Sequence, residues 1–174
     1  MPPERSKSTL RRAYLLALAV LVADQASKAW LIGWMESLGG YLQVTGFFNL
    51  VMVWNRGISF GLFQSGETGR YVLAGFAIVV SIGLLVWLRR GQPPLTALGI
   101  GAVLGGAIGN VLDRLGRGAV ADFFDFHVFG YHWPAFNVAD AAITLGVFAI
   151  LLDGFRGGAQ AARADQKQRE RTVE

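Results

Sequence analysis

Four stretches of mostly apolar residues divide the chain, at about 13–32, 71–88, 95–112 and 135–152. Each is close to the roughly 20 residues that a helix needs to cross a bilayer. The second carries no charged side chain. The first is interrupted by Asp24 and Lys28, and the fourth by Asn137 and Asp140. The third has glycines at Gly101, Gly105 and Gly109, a small-xxx-small ridge that lets helix backbones approach closely. A cleaved signal peptide is the alternative for the first stretch, but no small-residue cleavage site follows it and a lysine lies inside it. The pattern therefore predicts a membrane protein of four transmembrane helices, with outer loops at about 33–70 and 113–134.

Basic residues orient these spans. The N-terminal arm, 1–12, carries Arg5, Lys7, Arg11 and Arg12. The second link carries Arg89 and Arg90, and the tail, 156–174, carries Arg156, Arg163, Lys167, Arg169 and Arg171. That puts eleven of sixteen basic residues on one side, which by the positive-inside rule is cytoplasmic. Both termini are expected there. The polar, Ala/Gln-rich tail is expected to be a frayed helix or disordered, its charge serving topology and anionic lipid rather than nucleic acid. Trp30, Trp34, Trp87 and Trp133 fall near span ends, where an interfacial belt accounts for them.

Topology gives depth to the polar groups within the spans. With a rise of 1.5 Å per residue, Asp24 and Lys28 lie ~18 and ~24 Å above Arg12. Asn110 and Asp113 lie ~22 to 27 Å above Leu95, and Asp140 lies ~24 Å above Arg156. Three helices thus bring polar residues to one level near the outer face, and the inner halves stay apolar. This fits a site open to the outside better than a conduction path.

Composition narrows the chemistry. The chain is 53% hydrophobic and 16% charged, with mean hydropathy +0.41 and no cysteine. Disorder is excluded for the body of the chain. So are disulfides, Cys-based zinc sites and a thiol nucleophile. No G-x-S-x-G or Ser-x-x-Lys motif supports a serine nucleophile.

Three arrangements remain. Asp24 and Lys28, spaced i,i+4, could simply neutralise each other, or could couple ions in a small transporter or lipid-binding protein. Asp122, Asp125, His127 and His132 offer metal-ligand chemistry, although not in a zincin spacing. Two of the carboxylates between 110 and 140, meeting at the apolar outer interface, could form an acid–base pair, because one pKa would be pushed up. Asn137 and Asp140, i,i+3, share a helix face.

Five blocks carry a resemblance. They are Asp24-Gln25-Ala26-Ser27-Lys28, Asn55-Arg56-Gly57-Ile58-Ser59-Phe60, Gly109-Asn110-Val111-Leu112-Asp113-Arg114, Val120-Ala121-Asp122-Phe123 and Phe136-Asn137-Val138-Ala139-Asp140. In this order, over 12–155, the chain resembles the lipoprotein signal peptidases, the signal peptidase II family of bacterial inner-membrane aspartic proteases. The resemblance implies a four-helix membrane bundle with a small extracytoplasmic β-cradle and a short helix over the site. The cap would come from about 33–69, where 41–44 and 49–54 read as short strands. It implies catalytic roles for Asp122 and Asp140, and supporting or substrate-binding roles for Asp24, Lys28, Asn55, Asn110, Arg114 and Asn137. The implied reaction removes the signal peptide of a diacylglyceryl-modified prolipoprotein before the lipidated cysteine, at the periplasmic face. No metal or cofactor is expected, and the partners are this substrate and membrane lipid around a monomer. The chain departs from the family at Ile58, where a small residue is usual.

Overall fold

A computed structural model describes residues 3–57 and 66–171, with side chains described for 7–57 and 68–158. The elements in chain order are helix α1 (Pro3–Ser37), strands β1 (Tyr41–Gln43) and β2 (Phe48–Asn55), helices α2 (Gly66–Arg89) and α3 (Pro94–Gly116), strands β3 (Val120–Val128) and β4 (Tyr131–His132), and helix α4 (Val138–Arg171). Among the described residues, four helical stretches are long and apolar enough to cross a membrane: Lys7–Ser37, Thr68–Arg89, Pro94–Gly116 and Val138–Gly158.

Helix α3 is the centre of the bundle. It packs against α1, α2 and α4, and 67% of its most apolar window is buried, against 11–17% for the other three. Glycine makes this possible on two sides. A β-carbon at Gly101 or Gly105 would strike the α1 backbone at Ala13 or Ala17. On the other side, one at Gly99 would lie 2.6 Å from the Gly146 carbonyl oxygen of α4. The ridge seen in the sequence is therefore a packing surface for α1, and a second ridge on the same helix serves α4. With so little polar surface to bury, close backbone contact supplies much of the attraction between helices in lipid. The remaining faces of α1, α2 and α4 expose leucine, valine and phenylalanine, as a lipid-facing surface requires.

Two boundaries differ from the hydropathy pattern. Helix α4 starts at Val138 rather than 135, because Asn137 caps it and Phe136 pairs with Phe124 of β3. It then continues to Arg171, through the tail for which composition suggested a frayed helix or disorder. Alanine, glutamine, lysine and arginine in that stretch are good helix formers.

The sheet also differs from expectation. Its antiparallel order is β1-β2-β3-β4, so half of the cradle comes from the second outer loop rather than from 33–69 alone. The run Val120–Val128 is rich in β-branched and aromatic residues and pairs along β2. Between α1 and α2 no short helix occurs among the described residues; Ile58 and the rest of 58–65 lie outside them.

Candidate active site

The local device that builds the site is a bulge in β2. Asn49 pairs with Asp125 and Leu50 with Phe124, but Val53 pairs with Asp122, so β2 holds one extra residue between Leu50 and Val53. Asn49 and Asn55 are six apart and would share a face in a regular strand. The bulge puts them on opposite faces. Asn49 donates to Asp125 Oδ2 at 2.8 Å on one side, and Asn55 donates to Asp122 Oδ2 at 3.0 Å on the other.

The two aspartates of β3 therefore live in different surroundings. Asp125 takes hydrogen bonds from Asn49 and from His132 Nδ1 at 2.9 Å. Burial alone would raise its pKa, but these bonds and the charge of the two nearby histidines outweigh it and hold the carboxyl below its usual range. Asp122 is fully buried and is pushed up to about 7, first by desolvation and then by the charge of Asp140. Hydrogen bonds from Asn55 and Asn137 pull the other way and do not prevail.

Asp140 is held by a reciprocal cap. Its backbone N–H donates to Asn137 Oδ1 at 2.9 Å, and its Oδ2 accepts the Asn137 N–H at 3.2 Å. This is a capping box with aspartate in the N3 place. The spacing Asn137-x-x-Asp140 was the available signal for it. Its other oxygen, Oδ1, accepts from Asn110 Nδ2 at 2.8 Å. Asn137 reaches across to Asp122, donating to Oδ1 at 2.7 Å. One asparagine thus ties the first turn of α4 to the start of β3.

Beneath this lies a closed ionic cluster. Lys28 and Asp24 are fully buried. Lys28 Nζ lies 2.9 Å from Asp24, 2.7 Å from Asp113 and 3.2 Å from Asn110 Oδ1, so its three N–H donors are all used. Asp24 Oδ1 accepts the Ala139 N–H of α4 at 3.0 Å. Asp113 also pairs with Arg117 and accepts the Ala121 N–H of β3. The Asp24–Lys28 pair is thus half of a larger cluster that joins α1, α3, α4 and β3. A β-carbon at Gly109 would strike the Asp24 carboxylate, so only glycine lets α1 bring it this close. Asp113, Gln25 and Arg117 belong to this cluster, although the sequence motifs gave them no role. The spacing of Asp113 from Arg117, i,i+4, was the available signal.

Asp122, Asp140, Asn55 and Arg114 line one cavity of about 760 Å³, with Trp133, Pro134 and Phe136 as one wall. The cavity extends along α4 to Thr144 and Leu145, and Leu145 is 67% exposed on the lipid-facing side. It therefore opens sideways. Arg114 gives one N–H to the Asn110 carbonyl at 3.4 Å, while its buried Nε has no hydrogen-bond partner among the described residues. A planar donor group left partly unspent at a cavity wall suits a substrate carbonyl. Arg114→Lys is expected to lower turnover by at least about tenfold, equivalent to ~1.4 kcal/mol of transition-state stabilisation, without lowering thermal stability. Arg90→Lys, at the far end of the bundle, is the comparison; Arg117 is unsuitable because it pairs with Asp113. Equal cleavage rates for the two variants would make Arg114 a surface charge.

The possible metal ligands do not converge. Asp122 faces the cavity, whereas Asp125, His132 and His127 sit together elsewhere, the two imidazoles stacked at 4.9 Å. Among the described residues no three His, Cys, Asp or Glu side chains are grouped as a metal would require.

These features define a multi-pass membrane protein with a polar chamber at the end of its helix bundle remote from both termini. The chain belongs to the signal peptidase II family, whose model, described as Signal peptidase (SPase) II, matches residues 16–156. As a member of that family it is a protease. It is 44% identical over 154 residues to a lipoprotein signal peptidase of Rhodopseudomonas palustris (strain TIE-1), covering 85% of this chain and 94% of that protein. To a lipoprotein signal peptidase of Caulobacter vibrioides it is 45% identical over 145 residues, covering 82% and 86%. A solved structure described as a bacterial membrane enzyme superposes with a TM-score of 0.75 at 28% identity, covering 85% of this chain and 90% of that one.

Proposed function

We propose that this protein is an aspartic endopeptidase that removes the signal peptide from diacylglyceryl-modified prolipoproteins, cutting just before the lipidated cysteine. The observation that carries this reading is the shared cavity: two carboxylates from different elements face it, and amide donors hold each of them. Asp122, raised to about 7, keeps the proton. Asp140, at the N-terminal turn of α4, is the base of the pair. Asp140 takes a proton from water as the water oxygen attacks the scissile carbonyl, and Asp122 gives its proton to the carbonyl oxygen. On collapse the C–N bond breaks, the leaving nitrogen takes the proton from Asp140, and a diol hydroxyl returns one to Asp122. No covalent intermediate forms. Asn55, Asn110 and Asn137 hold the dyad, Arg114 holds substrate, and Asp24 with Lys28 fixes the helices beneath.

The sideways opening toward Leu145 suits a substrate whose signal helix and acyl chains are already in the bilayer. The excess of basic residues at the termini supports an orientation with both termini cytoplasmic, and hence the site at the periplasmic face of the inner membrane. In this reading 13–155 is the peptidase unit, 1–12 and 156–174 are cytoplasmic extensions, and the enzyme acts as a monomer without nucleic acid. The test is cleavage of a purified lipidated precursor by the purified protein, with mass spectrometry of the new N-terminus. A product beginning at the modified cysteine is expected, and failure to cut a precursor that a characterised relative cuts would overturn the proposal. EDTA and 1,10-phenanthroline are expected to leave the rate unchanged, and His127→Ala and His132→Ala to retain most of it. Loss with chelator and rescue by zinc would require a metal mechanism.

A further inference from the structure

Beyond the dyad, the most exposed apolar feature among the described residues is the tip of the β3–β4 hairpin. Phe129 is 98% exposed, Tyr131 85%, and Val128 and Trp133 more than half. No Asp, Glu, Lys or Arg occurs in the fourteen residues between Asp125 and Asp140. Val128 pairs with Tyr131, so Phe129 and Gly130 form a two-residue turn, with φ of 50° and 82°. Positive φ at both places is the geometry that selects Asn-Gly or Gly-Gly. A phenylalanine is unfavourable there, yet this chain places one where it projects furthest.

The hairpin is also continuous with the lipid-facing surface. β3 starts beside the cavity at Asp122, and the return from β4 runs through Trp133 to Phe136, which wall the cavity, into the first turn of α4. Phe47, 57% exposed, lies beside the hairpin, where its carbonyl accepts the His127 N–H at 2.9 Å. Uncharged aromatic side chains beside span ends are the residues that settle at a membrane–water interface.

We infer that the β3–β4 hairpin is a membrane-interface anchor, whose tip residues Phe129 and Tyr131 insert into the headgroup–acyl boundary next to the sideways opening of the cavity. The occupant is the lipid surface. It rests the sheet, and with it Asp122, at a fixed height against the bilayer. The tip itself, 128–131, carries no charged side chain, and His127 and His132 lie one register pair below it, so insertion of the tip does not require anionic lipid.

The full chain has no cysteine, so Phe129→Cys and Tyr131→Cys each give a single labelling site for an environment-sensitive fluorophore such as NBD. Each is reconstituted in vesicles of zwitterionic lipid, with or without anionic lipid, and probed with lipids bearing a nitroxide at the headgroup, shallow or deep acyl position. Phe76→Cys, exposed on the uncharged 71–88 stretch of α2, marks the bilayer, and Arg90→Cys marks water. Expected are emission blue-shifted from the Arg90 label and strongest quenching by the shallow acyl nitroxide, a depth of about 5–10 Å. The same result is expected in both lipid mixtures. Two sites keep the test valid if one variant folds poorly. Emission like that at Arg90, without lipid quenching, would overturn the anchor. Blue-shifted emission that disappears as protein is diluted into lipid would overturn it in favour of contact with a second copy.

Discussion

Asp122→Asn and Asp140→Asn are each expected to lower cleavage by about 10³–10⁴-fold, the upper part of the range for losing a positioned acid or base. Both proteins are expected to insert and fold. Asparagine preserves shape but cannot pass a proton, and the amides of Asn55, Asn110 and Asn137 can still find a carbonyl oxygen. The pH dependence has a definite sign. Asp122 is raised to about 7, so the singly protonated pair is lost as pH rises through that value, and kcat/KM falls on its basic side. The linkage to folding runs the same way. A carboxyl raised in the folded state contributes its full stability below the unfolded pKa, near 4, and loses it as pH climbs through 7. Asp122→Asn has no such loss. Its thermal stability relative to wild type is therefore expected to improve between pH 5 and pH 8, by less than about 4 kcal/mol. Turnover near the wild-type rate by either folded variant would remove that residue from the chemistry. A relative stability that does not move with pH would show that Asp122 is not the raised member.

The largest effect on stability is expected at Lys28. Lys28→Met keeps the volume of the stem but leaves Asp24 and Asp113 buried without their shared cation. Removing one partner from a buried charge cluster costs about 3–5 kcal/mol, because the remaining charge is uncompensated. Arg117 still answers part of Asp113, so Asp24 bears most of the loss. The cost propagates to α4, whose Ala139 N–H rests on Asp24 Oδ1. Unfolding in detergent is expected at a clearly lower temperature for Lys28→Met, with partial recovery in Lys28→Met combined with Asp24→Asn. That pairing separates charge from packing, since a packing loss would not be rescued by neutralising Asp24. An unchanged unfolding temperature in the single variant would mean that water reaches the cluster.

The membrane spans, the glycine ridge and the level of Asp24, Lys28, Asn110 and Asp140 were legible in the chain itself. Hydropathy and helical rise are local properties, and lipid leaves a spanning helix little freedom to depart from them. The Asn137-x-x-Asp140 spacing was visible too, but it reads as a shared helix face until the start of α4 at Val138 is known. Which carboxylates meet was not visible. Asp122 and Asp125 are alike in sequence, each set among phenylalanines on one strand. Only the extra residue of β2, inserted between Leu50 and Val53, turns Asn55 toward the first and Asn49 toward the second. A bulge follows from pairing between β2 and β3, which are brought together across two intervening helices, so no local pattern announces it. The share of β3 in the cradle, the second glycine ridge facing α4, and the addition of Asp113 and Arg117 to the Lys28 cluster have the same origin. Each is a contact between distant segments, fixed once α3 is enclosed by its neighbours and every buried charge must find a partner there.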